Sequence, residues 1–317
     1  MKKISIIVPV YNEEAVIEKF LNQQLIPEIN KITTYQFSIV LINDGSKDKT
    51  LEILQKFTTK DKKIKVISFS RNFGKEVALA AGMNYAKSAD AVIMIDSDGQ
   101  QPPKLIPKFI AKWEKGAEIV TGVRSRFTKH GLIQRTGSKV FYWLLNRLGD
   151  TDTVPGSTDF RLIDKVVVAE YNKLTEHNRI TRGLIDWLGF RQEQIEYVYG
   201  ERMAGEPSYN LKKLIKLAID SIVSMTTRPL LILGFFGIFL IIITSLLLLF
   251  WLFEQVLFND PLSLNWDGLT ILGIFTTFLA GMILLSQMIM ALYISHVHSE
   301  TQNRPLYIID EKNSRNL

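Results

Sequence analysis

The chain has 317 residues, and its 38 Lys and Arg against 32 Asp and Glu leave a formal charge of +6. That excess is too mild to point to nucleic acid, and the length allows one or two domains with a sizeable core. The absence of cysteine fits a reducing compartment. The opening MKKISIIVPVYNEE has the lysines and apolar run of a signal peptide. The run is short, however, meets Pro9, and reaches Asn12, Glu13 and Glu14 without a small-residue cleavage site, so it reads as a first strand. Further apolar runs follow, FSIVLI, IKVISF, AVIMI and AEIVTGV, separated by amphipathic segments of helical length. Strands apolar throughout and joined by crossover helices imply an α/β domain whose largely parallel sheet is covered on both faces. Asn12 is expected to cap a helix opening with Glu13 and Glu14, and Asp48 to cap KTLEILQKF. Pro102 and Pro103 suit the first turn of KLIPKFIAKW.

Further along, Leu211, Leu214, Ile215, Ala218, Ile222 and Met225 recur at helical spacing against Lys212, Lys213 and Lys216. This is the pattern of a helix lying in a membrane interface, with an ordinary surface helix as the alternative. Leu230 to Phe253 and Leu269 to Ile294 hold no charged side chain. Each exceeds the ~20 residues that cross a hydrocarbon core, so two transmembrane helices are expected. The connection between them has Glu254, Asp260 and Asp267 but no Lys or Arg, whereas basic residues flank the outer ends of the pair. The positive-inside tendency then puts both termini and the large N-terminal domain in the cytoplasm. The expected division is a catalytic domain over 1–210, an amphipathic juxtamembrane helix over 211–228, a transmembrane hairpin over 229–295 and a cytoplasmic tail over 296–317.

Ligands of open α/β sheets bind beyond the carboxyl ends of the strands. The polar clusters fall at those ends: YNEE, NDGSKD, RNFGKE and DSDGQ after the first four runs. In DSDGQ, an extended strand end would point Asp96, Asp98 and Gln100 the same way. Hard oxygen ligands of this kind suit Mg²⁺ or Mn²⁺ held jointly with substrate phosphates. A lone D-x-D is common; its place after a buried strand, in line with the other clusters, gives it weight. No G-x-G-x-x-G or G-x-x-x-x-G-K-[ST] signature is present, so neither a dinucleotide fold nor a P-loop is indicated.

VPVYNEE, NDGSKDKT and DSDGQQPP, in that order, resemble the nucleotide-sugar half of inverting glycosyltransferases of family 2, which have the GT-A fold. The resemblance implies that Pro9, Tyr11 and Glu13 line the uridine and ribose. It further implies that Asp44 contacts the base and that Asp96 and Asp98 hold the metal on the diphosphate. RNFGKEVALAAGMNYA, FYWLLNRLGD, DFRLIDKVVV, TRGLIDWLGFR and ERMAGEPSYNLKKLIKLAID, followed by two spans, resemble the polyprenyl-phosphate glycosyltransferases. Two departures are Ser157 and Thr158, which replace the usual Gly before Asp159, and Pro207, inserted near the usual Ser-Lys.

A lipid phosphate sits at headgroup level and calls for cationic groups near the membrane. Arg124, Arg126, Arg135 and Ser138 are candidates for that phosphate, arginine being suited to bidentate recognition. Arg202 resembles a residue that neutralises the donor diphosphate. Lys75 either faces the donor or pairs with Glu76. Asp159 resembles the residue often assigned as catalytic base. A phosphomonoester acceptor, with a second pKa of about 6, hardly needs one, so Asp159 is expected to orient the acceptor, by itself or through Arg161. The plain alternative is a cap for the helix from Lys165.

The resemblance implies transfer of a hexose, glucose first and N-acetylglucosamine next, from a UDP-sugar to undecaprenyl phosphate at the cytoplasmic membrane face. The expected partners are these two substrates, the lipid bilayer and, as an open option, further copies of the chain in a homo-oligomer; nucleic acid is not among them. Two other classes compete. A processive polysaccharide synthase needs a Q-x-x-R-W motif, which the sequence lacks. A non-enzymatic membrane scaffold would have no reason to keep Asp96, Asp98, Asp159 and Arg202 together.

Overall fold

A computed structural model describes residues 1–125, 156–177, 179–198, 200, 239, 242–243, 246 and 268–316. The chain forms two compact units. One comprises Met1–Asn146, Thr151–Lys216 and Asn303–Leu317; the other comprises Arg147–Asp150 and Leu217–Gln302.

The first unit is built on a seven-stranded mixed sheet with spatial order β3-β2-β1-β4-β6-β5-β7. The strands are β1 (Lys3–Val10), β2 (Gln36–Asn43), β3 (Ile64–Ser68), β4 (Ala91–Met94), β5 (Ile119–Arg124), β6 (Ser157–Asp164) and β7 (Gln192–Tyr197). β3, β2, β1 and β4 run parallel, and β6 lies antiparallel between β4 and β5. The five apolar runs of the sequence are thus the first five strands. Their alternate residues serve two cores: Ile4, Ile6 and Val8 pack on one face with Phe20, Leu21 and Phe109. Ile7 packs on the other with Leu79, Met83 and Tyr171. Burial on both faces explains why these strands show no polar alternation.

The helix Lys75–Tyr85 lies close on β1 because residue 82 is glycine; a Cβ there would stand 2.4 Å from Ile7 Cγ2. This packing fixes where Lys75, the first residue of the helix, projects. In the helix Thr50–Lys60 the N-cap is Lys49, not the expected Asp48, which stands one residue earlier and accepts the Thr50 N–H on Oδ1 at 3.0 Å. Pro103 opens a short 3-10 turn, and the following helix, Ile106–Glu114, starts with Pro107 in its first turn.

Two further expectations change. Asn12 caps no helix: it sits at φ 52°, its Oδ1 accepts the Lys47 N–H at 2.9 Å, and helix begins only at Ile17. Its short polar side chain suits that left-handed turn, which ties the loop after β1 to the loop after β2. The tail does not stand apart. Asn303–Leu317 belongs to the first unit and extends the sheet edge at β3, where Val66 pairs with Arg315 and Phe69 with Ile309, both antiparallel.

In the second unit, Leu269 to Ile294 lie in one continuous helix of 34 residues, Gly268–Thr301. Among the described residues no helix is long and apolar enough to cross a membrane. The amphipathic segment 211–228 and nearly all of the first apolar stretch lie outside the described residues.

Candidate active site

The sheet order places β1 beside β4, between the strands that wind outward in opposite directions, and an open α/β sheet forms its crevice at such a reversal. Tyr11 follows β1 and Asp96 follows β4 at that crevice. β6 reaches it from the other side. Its register pairs Met94 with Arg161, and two steps further on each chain stand Asp96 and Asp159.

Lys75 joins these two carboxylates, with Nζ 2.6 Å from Asp96 Oδ1 and 2.7 Å from Asp159 Oδ2. The Arg182 Nε lies 3.0 Å from Asp159 Oδ1, and its Nη1 donates to the Ser157 carbonyl at 3.2 Å. Arg182 is held there by its helix, Thr181–Trp187, whose first N–H, on Thr181, donates to the Glu76 carboxylate at 2.8 Å. Arg161 has no access to a substrate. It is fully buried and forms an ion pair with Asp186 at 2.7 Å, so it anchors the Arg182 helix to β6. Asp159 does not cap the helix from Lys165 either: Asp164 does, accepting the Val166 N–H. Ser157 and Thr158 stand at the start of β6, where the Thr158 hydroxyl donates to the Gly122 carbonyl at 2.9 Å.

The electrostatics follow from this packing. Burial opposes ionisation of Asp159, but Lys75 and Arg182 outweigh it and hold the carboxyl well below the usual range. Burial likewise opposes the charge on Lys75, and Asp159 and Asp96 overcome it and raise its pKa well above the usual lysine value. Burial, with Asp159 and Asp98 nearby, raises Asp96 despite Lys75. Asp159 is therefore a poor proton acceptor and a strong anchor for two cations.

Ser97 and Asp98 form a turn, so the segment is not an extended strand end. Asp98 Oδ1 accepts the Gln100 N–H at 3.0 Å, while the Gln100 amide donates to the Gly200 carbonyl at 3.3 Å. Gln101, which the two-residue spacing passes over, is the amide on Asp96, donating to Oδ2 at 2.7 Å. Among the described residues no group of three or more His, Cys, Asp or Glu could hold a metal. A cation at Asp96 and Asp98 would thus need oxygens from a ligand. One or two carboxylates plus phosphate oxygens is the usual donor set for Mg²⁺, so the residues present fit one.

At the outer parallel strands, Asp44 is buried and accepts from the Phe73 N–H at 2.7 Å, the Gly74 N–H at 2.9 Å and the Asn72 amide at 3.0 Å. It shapes the loop Arg71–Gly74. Gly45 beside it has φ 65°, and a Cβ there would meet the Arg71 carbonyl carbon at 2.3 Å, so only glycine lets the two loops close. Pro9 is buried within β1, Tyr11 is exposed, and the Glu13 N–H donates to Thr50 Oγ1 at 2.8 Å. Arg124 ends β5, its N–H donating to the Gly156 carbonyl. Arg126, Arg135, Ser138 and Arg202 lie outside the described residues. Arg182 and Gln101 are the residues that sequence reasoning missed. Arg182 lies within the quoted TRGLIDWLGFR, but nothing in the spacing ties it to Asp159.

A family model described as glycosyl transferase family 2 matches residues 5–171. An uncharacterised glycosyltransferase of Bacillus subtilis, YkcC, is 38% identical over 307 residues, covering 97% of this chain and 93% of the relative. A prophage-derived bactoprenol glucosyl transferase of Shigella flexneri is 37% identical over 314 residues, 99% of each chain. Mannosyl-3-phosphoglycerate synthase from Rubrobacter xylanophilus superposes with a TM-score of 0.50 at 15% identity, over 70% of this chain and 72% of that one. That likeness is one of fold and identifies the sheet as GT-A-like. With the family model matching over half its length and two relatives above 35% identity end to end, the chain belongs to glycosyl transferase family 2.

Proposed function

We propose that the chain transfers a hexose from a UDP-sugar to undecaprenyl phosphate, with inversion, at the cytoplasmic face of a membrane. Glucose is the first choice of sugar. The observation that carries this reading is the joining of Asp96 and Asp159 through Lys75 beyond the carboxyl ends of β1 and β4. Full-length similarity to a bactoprenol glucosyl transferase supports the acceptor.

Donor and acceptor divide the site between them. The loops after β1, β2 and β3 would receive the nucleoside, and Asp96 and Asp98, with Gln100 nearby, would hold Mg²⁺ or Mn²⁺ with the diphosphate. When bound, that ion neutralises charge on the departing diphosphate. An oxygen of the acceptor phosphate attacks the anomeric carbon from the face opposite UDP. The new carbon–oxygen bond forms as the old one breaks, and its electron pair leaves on the diphosphate. The attacking oxygen is already anionic near neutral pH, so no proton must be removed. Asp159 accordingly serves as the fixed point on which Lys75 and Arg182 are aimed at phosphate oxygens. Arg124, Arg126, Arg135 and Ser138 remain the proposed lipid-phosphate group, and Arg202 the proposed partner of the diphosphate.

Membrane anchoring rests on the second unit. At 1.5 Å per residue the 34-residue helix Gly268–Thr301 is about 50 Å long, more than the ~30 Å of a hydrocarbon core. Leu269, Leu272, Phe278, Ile283, Met288 and Ile294 on it are at least half exposed, a surface that favours lipid over water. The hairpin we propose crosses at 230–253 and 269–294; the basic residues that flank its outer ends support both ends on the catalytic side. Transfer of labelled sugar into butanol-extractable lipid, run over a panel of nucleotide sugars, tests the reading. A lipid product from one UDP-hexose is expected; no lipid product from any donor would overturn it.

A further inference from the structure

One set of contacts made by the C-terminal tail lies at the carboxyl end of β3, just before the loop Arg71–Gly74. The Ser70 N–H donates to the Ile308 carbonyl at 3.0 Å and the Asp310 N–H to the Ser68 carbonyl at 2.8 Å. The Ser68 N–H donates to Ser314 Oγ at 3.1 Å, and the Asn43 amide donates to Ser68 Oγ at 2.9 Å. Ser314 thus reaches, through Ser68, the residue just before Asp44. A second line runs through rings. Tyr307 stacks on Phe69 with centroids 5.1 Å apart, Phe69 meets Phe73 edge-on at 5.7 Å, and the Phe73 N–H donates to Asp44. Both lines end on the two loops that close around Asp44, and the next residue after Gly74 is Lys75.

We infer that residues 307–314 are positioning residues for the donor: they hold the end of β3 so that the Arg71–Lys75 loop keeps the shape that receives the nucleotide. The inference rests on the UDP-sugar reading above. An edge strand left uncovered at Ser68 to Ser70 would lose backbone partners at the hinge of that loop. The tail also contacts the far end of β3, where the Asn316 amide donates to the carbonyls of Thr58 at 3.1 Å and Ile64 at 2.9 Å. That end supplies a control of equal bonding but no link to Asp44.

The test is calorimetric binding of UDP, in MnCl2, to the full chain and to Ser314→Ala, Tyr307→Ala, their double variant and Asn316→Ala, with melting temperatures alongside. Losing the two hydrogen bonds of the Ser314 hydroxyl, the one that the Tyr307 hydroxyl accepts from the Asn84 amide, and one ring contact predicts a UDP Kd raised about tenfold in the double variant. Ser314→Ala alone deletes only a hydroxyl, so it reports even where the double variant fails to fold. Asn316→Ala is expected to lower the melting temperature yet leave the Kd within about twofold. An unchanged Kd in Ser314→Ala and Tyr307→Ala, or an equal rise in Asn316→Ala, overturns the inference. A wild-type chain that binds no UDP overturns the donor reading, and this inference with it.

Discussion

Replacing Asp159 by Asn removes the one negative charge that Lys75 and Arg182 share. Two ionic contacts are lost, at 2.7 and 3.0 Å. A hydrogen bond to a charged group contributes about 1.5–3 kcal/mol. Lys75 and Arg182 are 38% and 37% exposed, so solvent screens part of that. About 2–3 kcal/mol of positioning remains for the pair, which converts to a loss of roughly 30- to 150-fold in kcat/KM. The pH dependence separates anchor from base. A carboxyl held low by its partners contributes stability that is present above its unfolded pKa of about 3.9 and is lost as pH falls through the lower folded value. Asp159 therefore stays ionised from pH 6.5 to 8.5. The acceptor is almost wholly dianionic at the upper end of that range. Turnover of wild type and Asp159→Asn, measured across this window beside their melting temperatures, should show the same deficit at both ends. Full recovery of the variant at pH 8.5 would make Asp159 a true base and refute the reasoning.

Three further outcomes follow from the same geometry. Asp96→Asn, or EDTA added to wild type, should lower turnover at least ~100-fold because the departing diphosphate loses its counterion; near-normal rates in either would remove the metal from the account. Asp186→Ala should destabilise the first unit by about 3–5 kcal/mol in a denaturant melt, since it strands the fully buried Arg161; an unchanged midpoint would mean the pair is dispensable. For topology, Ser263→Cys should react with an impermeant thiol reagent added to intact cells and Lys312→Cys should not. Lys312 is exposed on the tail, whereas Ser314, its neighbour two residues on, is buried against β3 and would stay silent from either side.

The parallel half of the sheet was legible because full burial leaves unbroken apolar runs, as in ISIIVPV and AVIMI. β7 was not: QEQIEY, on the sheet edge, opens with three polar residues and buries only Ile195 and Tyr197. The tail hid for a similar reason. Its pairing to β3 is two isolated bridges within a charged segment, which no local periodicity reveals. At the site, the positions of Asp44, Asp96 and Asp98 could be read from where strands end. Their partners could not, because Lys75 reaches Asp96 and Asp159 across 21 and 84 residues of chain. Asp159, Arg161 and Arg182 are three charges within one stretch, and only the fold shows that Arg161 turns inward to Asp186 while Arg182 turns to the site.

The proposed nucleophile is a lipid-borne phosphate. The direct measurement offers the purified full chain UDP-[³H]glucose with undecaprenyl phosphate in one arm and undecaprenol in the other, and counts label extracted into butanol. Label is expected in the lipid only where the phosphate is present. Equal transfer to undecaprenol, or label released to water in both arms, would contradict it.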